Sequence, residues 1–285
     1  MREQEGRSAC ARMPLKVSIP GTAVTSKHLL KAHRDLSGHN EKIVTGRRIN
    51  SASDDAANSG VASNLNAQQR GTRVAMRNIA DGVSLVTTME STANQISDKV
   101  MRMRELAVQG SGNVLGDQER RFLQAEMASV QEEVDRLAEA SNFNGLSYAN
   151  GVNSSIELQL GSNNSSSDRM TIDFSDMTTS NLFGGKTVGV KTTTNSQDSL
   201  KVLDRALDRL GSIRSGFGSD LNVMSAAESQ AELYAENITV AESRVLDTDY
   251  ARETAEMARA QMVIQANVAV RSHAGVSAQA IASLI

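Results

Sequence analysis

The chain has 285 residues, enough for one or two ordinary domains, with 39% apolar residues, 3% aromatics, no Trp and a net charge of −3. So few aromatics argue against a thick globular core, and the weak negative charge argues against nucleic acid as a partner. No run of about eighteen apolar residues exists, and Cys10 is the only cysteine, so neither a membrane span nor an intrachain disulfide is predicted.

Residues 1–12 are polar and without pattern, and read either as a leader ahead of a start at Met13 or as a disordered tail. Residues 1–20 lack the apolar core of a cleavable secretory signal. Within the segment 13–46, a helix is expected between Thr22 and Val44 on Leu29, Leu36 and Ile43 at seven-residue spacing, with Gly46 as its stop and the chain's two prolines, Pro14 and Pro20, ahead of it. A polar spacer follows over 47–60. Its Asp54 and Asp55 suit the amino end of the next helix.

From about Val61 to Ala107 the row Leu65, Thr72, Ile79, Val86, Ala93, Val100 and Ala107 repeats every seventh residue. A second row holds Val61, Met76, Val83, Met89, Ile96 and Met103. Such a stripe needs a covering helix, and without Pro it runs for ~70 Å at about 1.5 Å per residue. The cover is predicted near the other end, where Leu203, Leu210, Phe217, Met224, Ala231, Ile238 and Val245 repeat the step, flanked by Leu200, Leu207, Leu221 and Ala235. Between them, Asp117 is expected to cap a third helix on Leu123, Met127, Val130, Val134 and Leu137, closed by Asn142-Phe143-Asn144-Gly145. The fold class predicted is mainly α: an elongated antiparallel helical hairpin or coiled-coil bundle (61–150 with 199–245) and a small β-hairpin tip over 151–198. In the tip, Ile156, Leu158 and Leu160 alternate with polar residues, as do Met170, Ile172 and Phe174, and a further strand is expected at 187–191. A second polar break, Asp247 to Tyr250, precedes a final helix within 246–285. One face of that helix carries Ala255, Ala258, Met262, Ala266 and Ala269, with Met257, Ile264, Val268 and Val270 around it. The two terminal helices are marginal alone, and are expected to order against other copies.

Catalytic and metal motifs are not found. His28, His33 and His39 are spaced five and six apart, which does not share a helix face, and they read as ordinary surface. No zinc-protease, nucleophile-elbow or phosphate-loop pattern occurs, so no enzyme activity and no cofactor are expected. Asp54, Asp55, Asp247 and Asp249 could serve a cation site if the two breaks face each other. The alternative is helix capping and hydrogen bonding to Arg47, Arg48 or Arg244. The Ser/Thr-rich tip reads as a solvated loop or a site of O-glycosylation.

Several stretches carry a family resemblance. Gly46 to Ala57 (GRRINSASDDAA), Arg77 to Leu85 (RNIADGVSL), Arg102 to Gln109 (RMRELAVQ), Phe143-Asn144-Gly145 and Glu242 to Ala251 (ESRVLDTDYA) resemble, in order and interval, the signatures of bacterial flagellins over essentially Met13 to Ile285. Asn58 and Ser59 depart from the pattern, His28, His33 and His39 stand where Gln, Ser or Ala are commoner, and the large outer domains of many flagellins are absent.

The resemblance implies a structural subunit that polymerises into the extracellular filament of the bacterial flagellum. Export would run through the flagellar secretion channel without a cleaved signal peptide. The terminal helices would line the inner tube and the bundle the outer one. Arg48, Asn50, Asp54, Asp55, Asp247, Asp249, Leu29, Leu36, Ile43, Met262, Ile264, Leu284 and Ile285 become candidates for subunit contacts and spacer positions. The partners implied are other copies, an export chaperone on the C-terminal helix, and hook-associated and cap proteins, with no nucleic acid and no membrane insertion. Val100, Arg102, Leu106, Gln109 and Glu126 fall where the vertebrate Toll-like flagellin receptor recognises the family. Against that, Val100 and Leu106 also read as seam residues and Arg102 and Glu126 as surface charges. The alternatives are a hook–filament junction protein and a cytosolic coiled-coil scaffold or signalling rod.

Overall fold

The computed structural model describes residues 20–282. Its helices are α1 (Pro20–Thr45), α2 (Ala56–Gly110), α3 (Asp117–Ala140), the short α4 (Thr179–Leu182), α5 (Thr193–Leu246) and α6 (Tyr250–Ala282). Its strands are β1 (Asn142–Phe143), β2 (Leu146–Ser147), β3 (Ser155–Gln159) and β4 (Arg169–Asp173). The chain forms two compact units, Met1–Ser63 with Glu242–Ile285, and Asn64–Ala241. The predicted leader, its Met13 start and Pro14, and the contact candidates Leu284 and Ile285, lie outside the described residues.

In the Asn64–Ala241 unit, α2 and α5 run antiparallel. Gln69 Nε2 donates to Thr239 Oγ1 at 2.8 Å, and Arg104 Nε to Asp204 Oδ1 at 2.7 Å. Both helices advance by the same thirty-five residues between these two contacts, five heptads in register. The heptad rows explain why. Thr72, Ile79, Val86, Ala93, Val100 and Ala107 are all buried, as are Leu203, Leu210, Phe217, Met224, Ala231 and Ile238. Thr72 is tolerated in the seam because its hydroxyl donates to the Gln68 carbonyl one turn back. α3 completes the bundle with Leu123, Met127, Val134 and Ala138 buried; Gly116, not Asp117, is its N-cap, and Asp117 stands inside the first turn, where its charge faces the positive helix end.

The second row differs from expectation at its amino end. Val61 is exposed, Met76 and Val83 are only half-buried, and the closed row runs Ala75, Gly82, Met89, Ile96 and Met103. Partners decide this. A Cβ on Gly82 would stand 2.4 Å from Leu158 Cδ2 and 3.0 Å from Met224 Sδ, so the missing side chain is where the β segment and α5 enter.

That segment lies along the side of the bundle. Ser162 packs on Gly71, Leu158 on Gly82, and Val190 on Gly110, so its contacts span most of α2. β3 pairs antiparallel with β4, Ser155 opposite Asp173 through Gln159 opposite Arg169. β1 and β2 close through Asn144 (φ 50°) and Gly145 (φ 83°), the left-handed pair that a two-residue Asn-Gly hairpin requires. Tyr148 meets Phe174 edge-on at 6.5 Å and shares a 2.9 Å hydrogen bond with Thr92, which places these two aromatics inside the core.

The strand expected at 187–191 does not form. Val188 and Val190 are buried, but their backbone is satisfied by side chains. Gln131 donates to the Val188 carbonyl, Gly189 N–H donates to Ser199 Oγ, and Val190 N–H to Gln124 Oε1. With α3 and α5 supplying the partners, no neighbouring strand is needed.

Asp220, part-buried on α5, has its carboxyl pushed above the ordinary Asp range, by burial first and by the nearby Asp173 on β4 second. A raised folded-state value means that the carboxylate weakens the fold as pH climbs through and above the Asp range, and does not when protonated in both states. Asp220→Asn is therefore expected to raise the melting temperature of this unit at pH 7 and leave it nearly unchanged at pH 3, measured by calorimetry at both values.

Candidate functional site

In the terminal unit, the two polar breaks are stitched together. Gly46, at φ 70°, ends α1 and turns the chain. Arg47 then bridges antiparallel to Asp247, Arg48 N–H donates to the Leu246 carbonyl at 2.6 Å, and Thr248 N–H to the Gly46 carbonyl at 3.0 Å. Arg48 Nη2 also donates to the Val245 carbonyl at 2.8 Å, placing a cation on the negative end of α5. Ile49 is buried beneath.

Two of the four aspartates of these breaks, Asp55 and Asp249, cap helices, and the other two brace the chain around the breaks. Asp54 accepts the N–H groups of Asn50 and Ser51 at 3.1 and 2.9 Å, folding the spacer back on itself. Asp55 caps α2 through Asn58 N–H and Nδ2 at 3.0 and 2.6 Å. Asp249 caps α6 through Ala251 and Arg252 N–H, and Asp247 accepts from Ser243 Oγ at 2.5 Å. The arginines proposed as side-chain partners are not the ones these carboxylates meet: Asp54, Asp55 and Asp249 take backbone N–H groups, and Asp247 takes the Ser243 hydroxyl. These bonds hold two of the carboxyls below the ordinary Asp range, Asp54 through Ser51 and Asn50, and Asp55 through Asn58. A depressed value stabilises at neutral pH, and that support is lost as pH falls through the lowered range. Among the described residues no three His, Cys, Asp or Glu converge to hold a metal ion.

Gly46 has a second constraint: an added Cβ would sit 3.1 Å from Tyr250 Oη. Gly46→Ala is expected to cost about 1–2 kcal/mol, the penalty of an L-residue in left-handed backbone. The loss should appear in calorimetry of the terminal unit, with the Asn64–Ala241 melt unmoved.

α1 and α6 pack closely, because small residues line the contact. The buried apolar residues described in this unit are Ala32, Ile49, Ala62 and Ala260, whereas the clustered large-residue core runs from Ile79 to Ala231 in the other unit. Leu29, Leu36 and Ile43 on α1, and Met257 and Ile264 on α6, are half-buried at the margins. His39 corrects the expectation of an ordinary surface histidine. Its Nδ1 stands 2.5 Å from Glu253 Oε2, within hydrogen-bond reach, and Lys42 Nζ lies 3.8 Å from the same carboxylate, so a polar contact and an ion pair link α1 to α6; His28 and His33 are exposed. Leu30, Val44, Met262, Val263, Val268, Val270 and Val276 remain exposed. Apolar residues in this number on a pair of helices mark a surface built to be covered.

The five positions on α2 and α3 do not form one surface. Val100 and Leu106 are buried in the bundle, and only Arg102, Gln109 and Glu126 face out. Arg102 donates to Glu126 at 2.6 and 3.2 Å and to Glu105 at 2.8 Å, and these carboxylates, Glu126 first, hold its guanidinium above the ordinary Arg value. Phe122, 66% exposed on the same face of α3 as Glu126, was missed by sequence reasoning; in the α3 stripe only its offset from Leu123 marks it as outward.

Comparison with known proteins follows this geometry. Residues 21–154 match the model of the bacterial flagellin N-terminal helical region, and residues 200–285 that of the C-terminal helical region. A flagellin of Halalkalibacterium halodurans is 31% identical over 246 residues, covering 86% of this chain and 90% of that protein. The flagellar filament 33 kDa core protein of Treponema phagedenis is 29% identical, again over 86% of this chain and 90% of its own. Among solved structures, Bacillus cereus flagellin is similar at a TM-score of 0.50 and 29% identity, covering 54% of this chain and 88% of that one. No described helix is long and apolar enough to cross a membrane. With the N-terminal and C-terminal flagellin regions both matched in order, and a flagellin 31% identical over most of its length, the chain belongs to the bacterial flagellins.

Proposed function

We propose that this flagellin is a structural subunit that polymerises into the extracellular flagellar filament for swimming motility and catalyses nothing. The observation that carries the reading is the contrast in burial. The Asn64–Ala241 unit closes its own core, whereas α1 and α6 bury mostly alanine and leave Leu30, Val44, Met262, Val268 and Val270 in water. Copies repeated head-to-tail without closure would cover those faces.

In this division of labour the segments 13–46 and 246–285 form the inner tube and the bundle the outer one. The polar breaks at 47–60 and Asp247–Tyr250 serve as spacers, with Arg48, Asn50, Asp54, Asp55, Asp247 and Asp249 as their spacer and subunit-contact positions. Leu29, Leu36, Ile43, Met262 and Ile264 meet other copies. Export runs through the flagellar channel, with a chaperone on the apolar faces of α6 beforehand and hook-associated and cap proteins at the two ends of the polymer. A Toll-like flagellin receptor would meet Arg102, Gln109 and Glu126, and would depend on Val100 and Leu106 only through the fold.

The test is to concentrate the purified chain with salt or filament seeds, then sediment and image it. Long filaments are expected; a stable monomer or dimer at every concentration would favour the scaffold rod instead.

A further inference from the structure

Ten methionines lie among the described residues, and their burial is uneven. Met89, Met103, Met127 and Met224 on the bundle helices and Met177 between β4 and α4 are fully buried in the core, and Met76, Met170 and Met257 are half-buried. Only Met101 and Met262 are exposed, at 45% and 62%. Met262 has a distinctive setting. Glu253, Ala260 and Ile264 define the side of α6 turned to α1, through the Glu253–His39 contact and their burial. Ala251, Ala255, Ala258, Met262, Ala266 and Ala269 fall together on the opposite side at helical spacing, and all six are exposed. The row is alanine apart from one thioether at its centre. Alanine lets a covering backbone approach closely, so a polar atom added in the middle of the row would be buried against that cover without a donor.

We propose that Met262 is an oxidation site that gates self-assembly: peroxide-class oxidants convert its thioether to the sulfoxide in the unassembled chain, and the oxidised chain cannot join a filament. In the step, the sulfur lone pair attacks one peroxide oxygen, the O–O bond breaks, an S–O bond forms and water leaves. Sulfur is oxidised by two electrons as peroxide is reduced. The proposal rests on the filament reading for what covers this face, but the reactivity of Met262 in the free chain does not. The buried methionines form an internal reference for accessibility within the same molecule.

The test treats purified chain and preformed filaments with hydrogen peroxide, follows each methionine by peptide mass, and measures the concentration needed for seeded polymerisation. Met262 is expected to gain one oxygen in the free chain ahead of the five buried methionines, and to be protected in filaments. The oxidised chain should need about tenfold more protein, or more, to polymerise, the consequence of burying an unpaired polar group. Methionine sulfoxide reductase should restore assembly. Met262→Leu, close in volume and helix propensity, should polymerise before and after peroxide, while Met101→Leu stays sensitive. Equal oxidation of Met262 in free chain and filament, unchanged polymerisation of the oxidised chain, or rescue by Met101→Leu in place of Met262→Leu would overturn the proposal. Failure of the untreated chain to polymerise needs no peroxide and counts against the filament reading itself.

Discussion

Deletion of Val268–Ile285 is expected to abolish filament formation while the Asn64–Ala241 unit keeps its cooperative melt. The removed stretch includes Val268, Val270 and Val276, which lie exposed on α6 and contribute nothing to the core that runs from Ile79 to Ala231. α6 would keep its cap at Asp249 and its tie from Glu253 to His39 and Lys42, because all of these precede the cut. What the truncation loses is apolar surface with no described partner in its own chain. Sedimentation checks the first half of the expectation and calorimetry the second. A truncated chain that still forms filaments, or one whose main melt collapses, would contradict the division between a self-sufficient bundle and terminal helices reserved for assembly.

The second large effect lies inside the bundle. Leu106→Ala should destabilise the Asn64–Ala241 unit by about 2–5 kcal/mol, the range for truncating a buried leucine in a seam that cannot collapse fully. Leu106 is 1% exposed and belongs to the same core cluster as Met103 and Ala107. At about 2–4 °C per kcal/mol for a unit of this size, the melting temperature should fall visibly. Gln109→Ala, three residues on but facing solvent, should leave it nearly unchanged. The pair separates two meanings of the same motif. Loss of receptor binding in Leu106→Ala reports on folding, whereas loss in Gln109→Ala, Arg102→Ala or Glu126→Ala reports on a surface. A Leu106→Ala variant with wild-type melting would contradict the seam described here.

The heptad rows were legible because a period of seven sustained over so many turns has one physical use, a seam under another helix. The caps at Asp55 and Asp249 were legible for a similar reason, since an acidic residue before an apolar periodic run meets unpaired N–H groups whatever the tertiary structure. What escaped the sequence depended on partners far along the chain. Ala75 and Gly82 displace Met76 and Val83 from the second row because Leu158 and Met224 arrive there. The Val188–Val190 segment looks like a strand, but Gln124, Gln131 and Ser199 supply its hydrogen bonds. The four-residue α4 is too short to show a period and takes its cap from Asp135, which accepts from Thr179 N–H and hydroxyl at 2.8 Å. His39 looked like surface because Glu253, its partner, lies 214 residues away. At the terminal helices, the sequence pointed to an apolar face centred on Met262, and the structure leaves that face exposed.

The most direct test of the account is amide hydrogen exchange, resolved by peptide, on the free chain and on filaments. The account predicts slow exchange throughout the α2, α3 and α5 seams in both states. The exposed-faced α1 and α6 should exchange quickly in the free chain and become protected only in filaments. Equal protection of α1 and α6 in both states would show that they need no other copy, and would contradict the claim that these helices are completed by assembly.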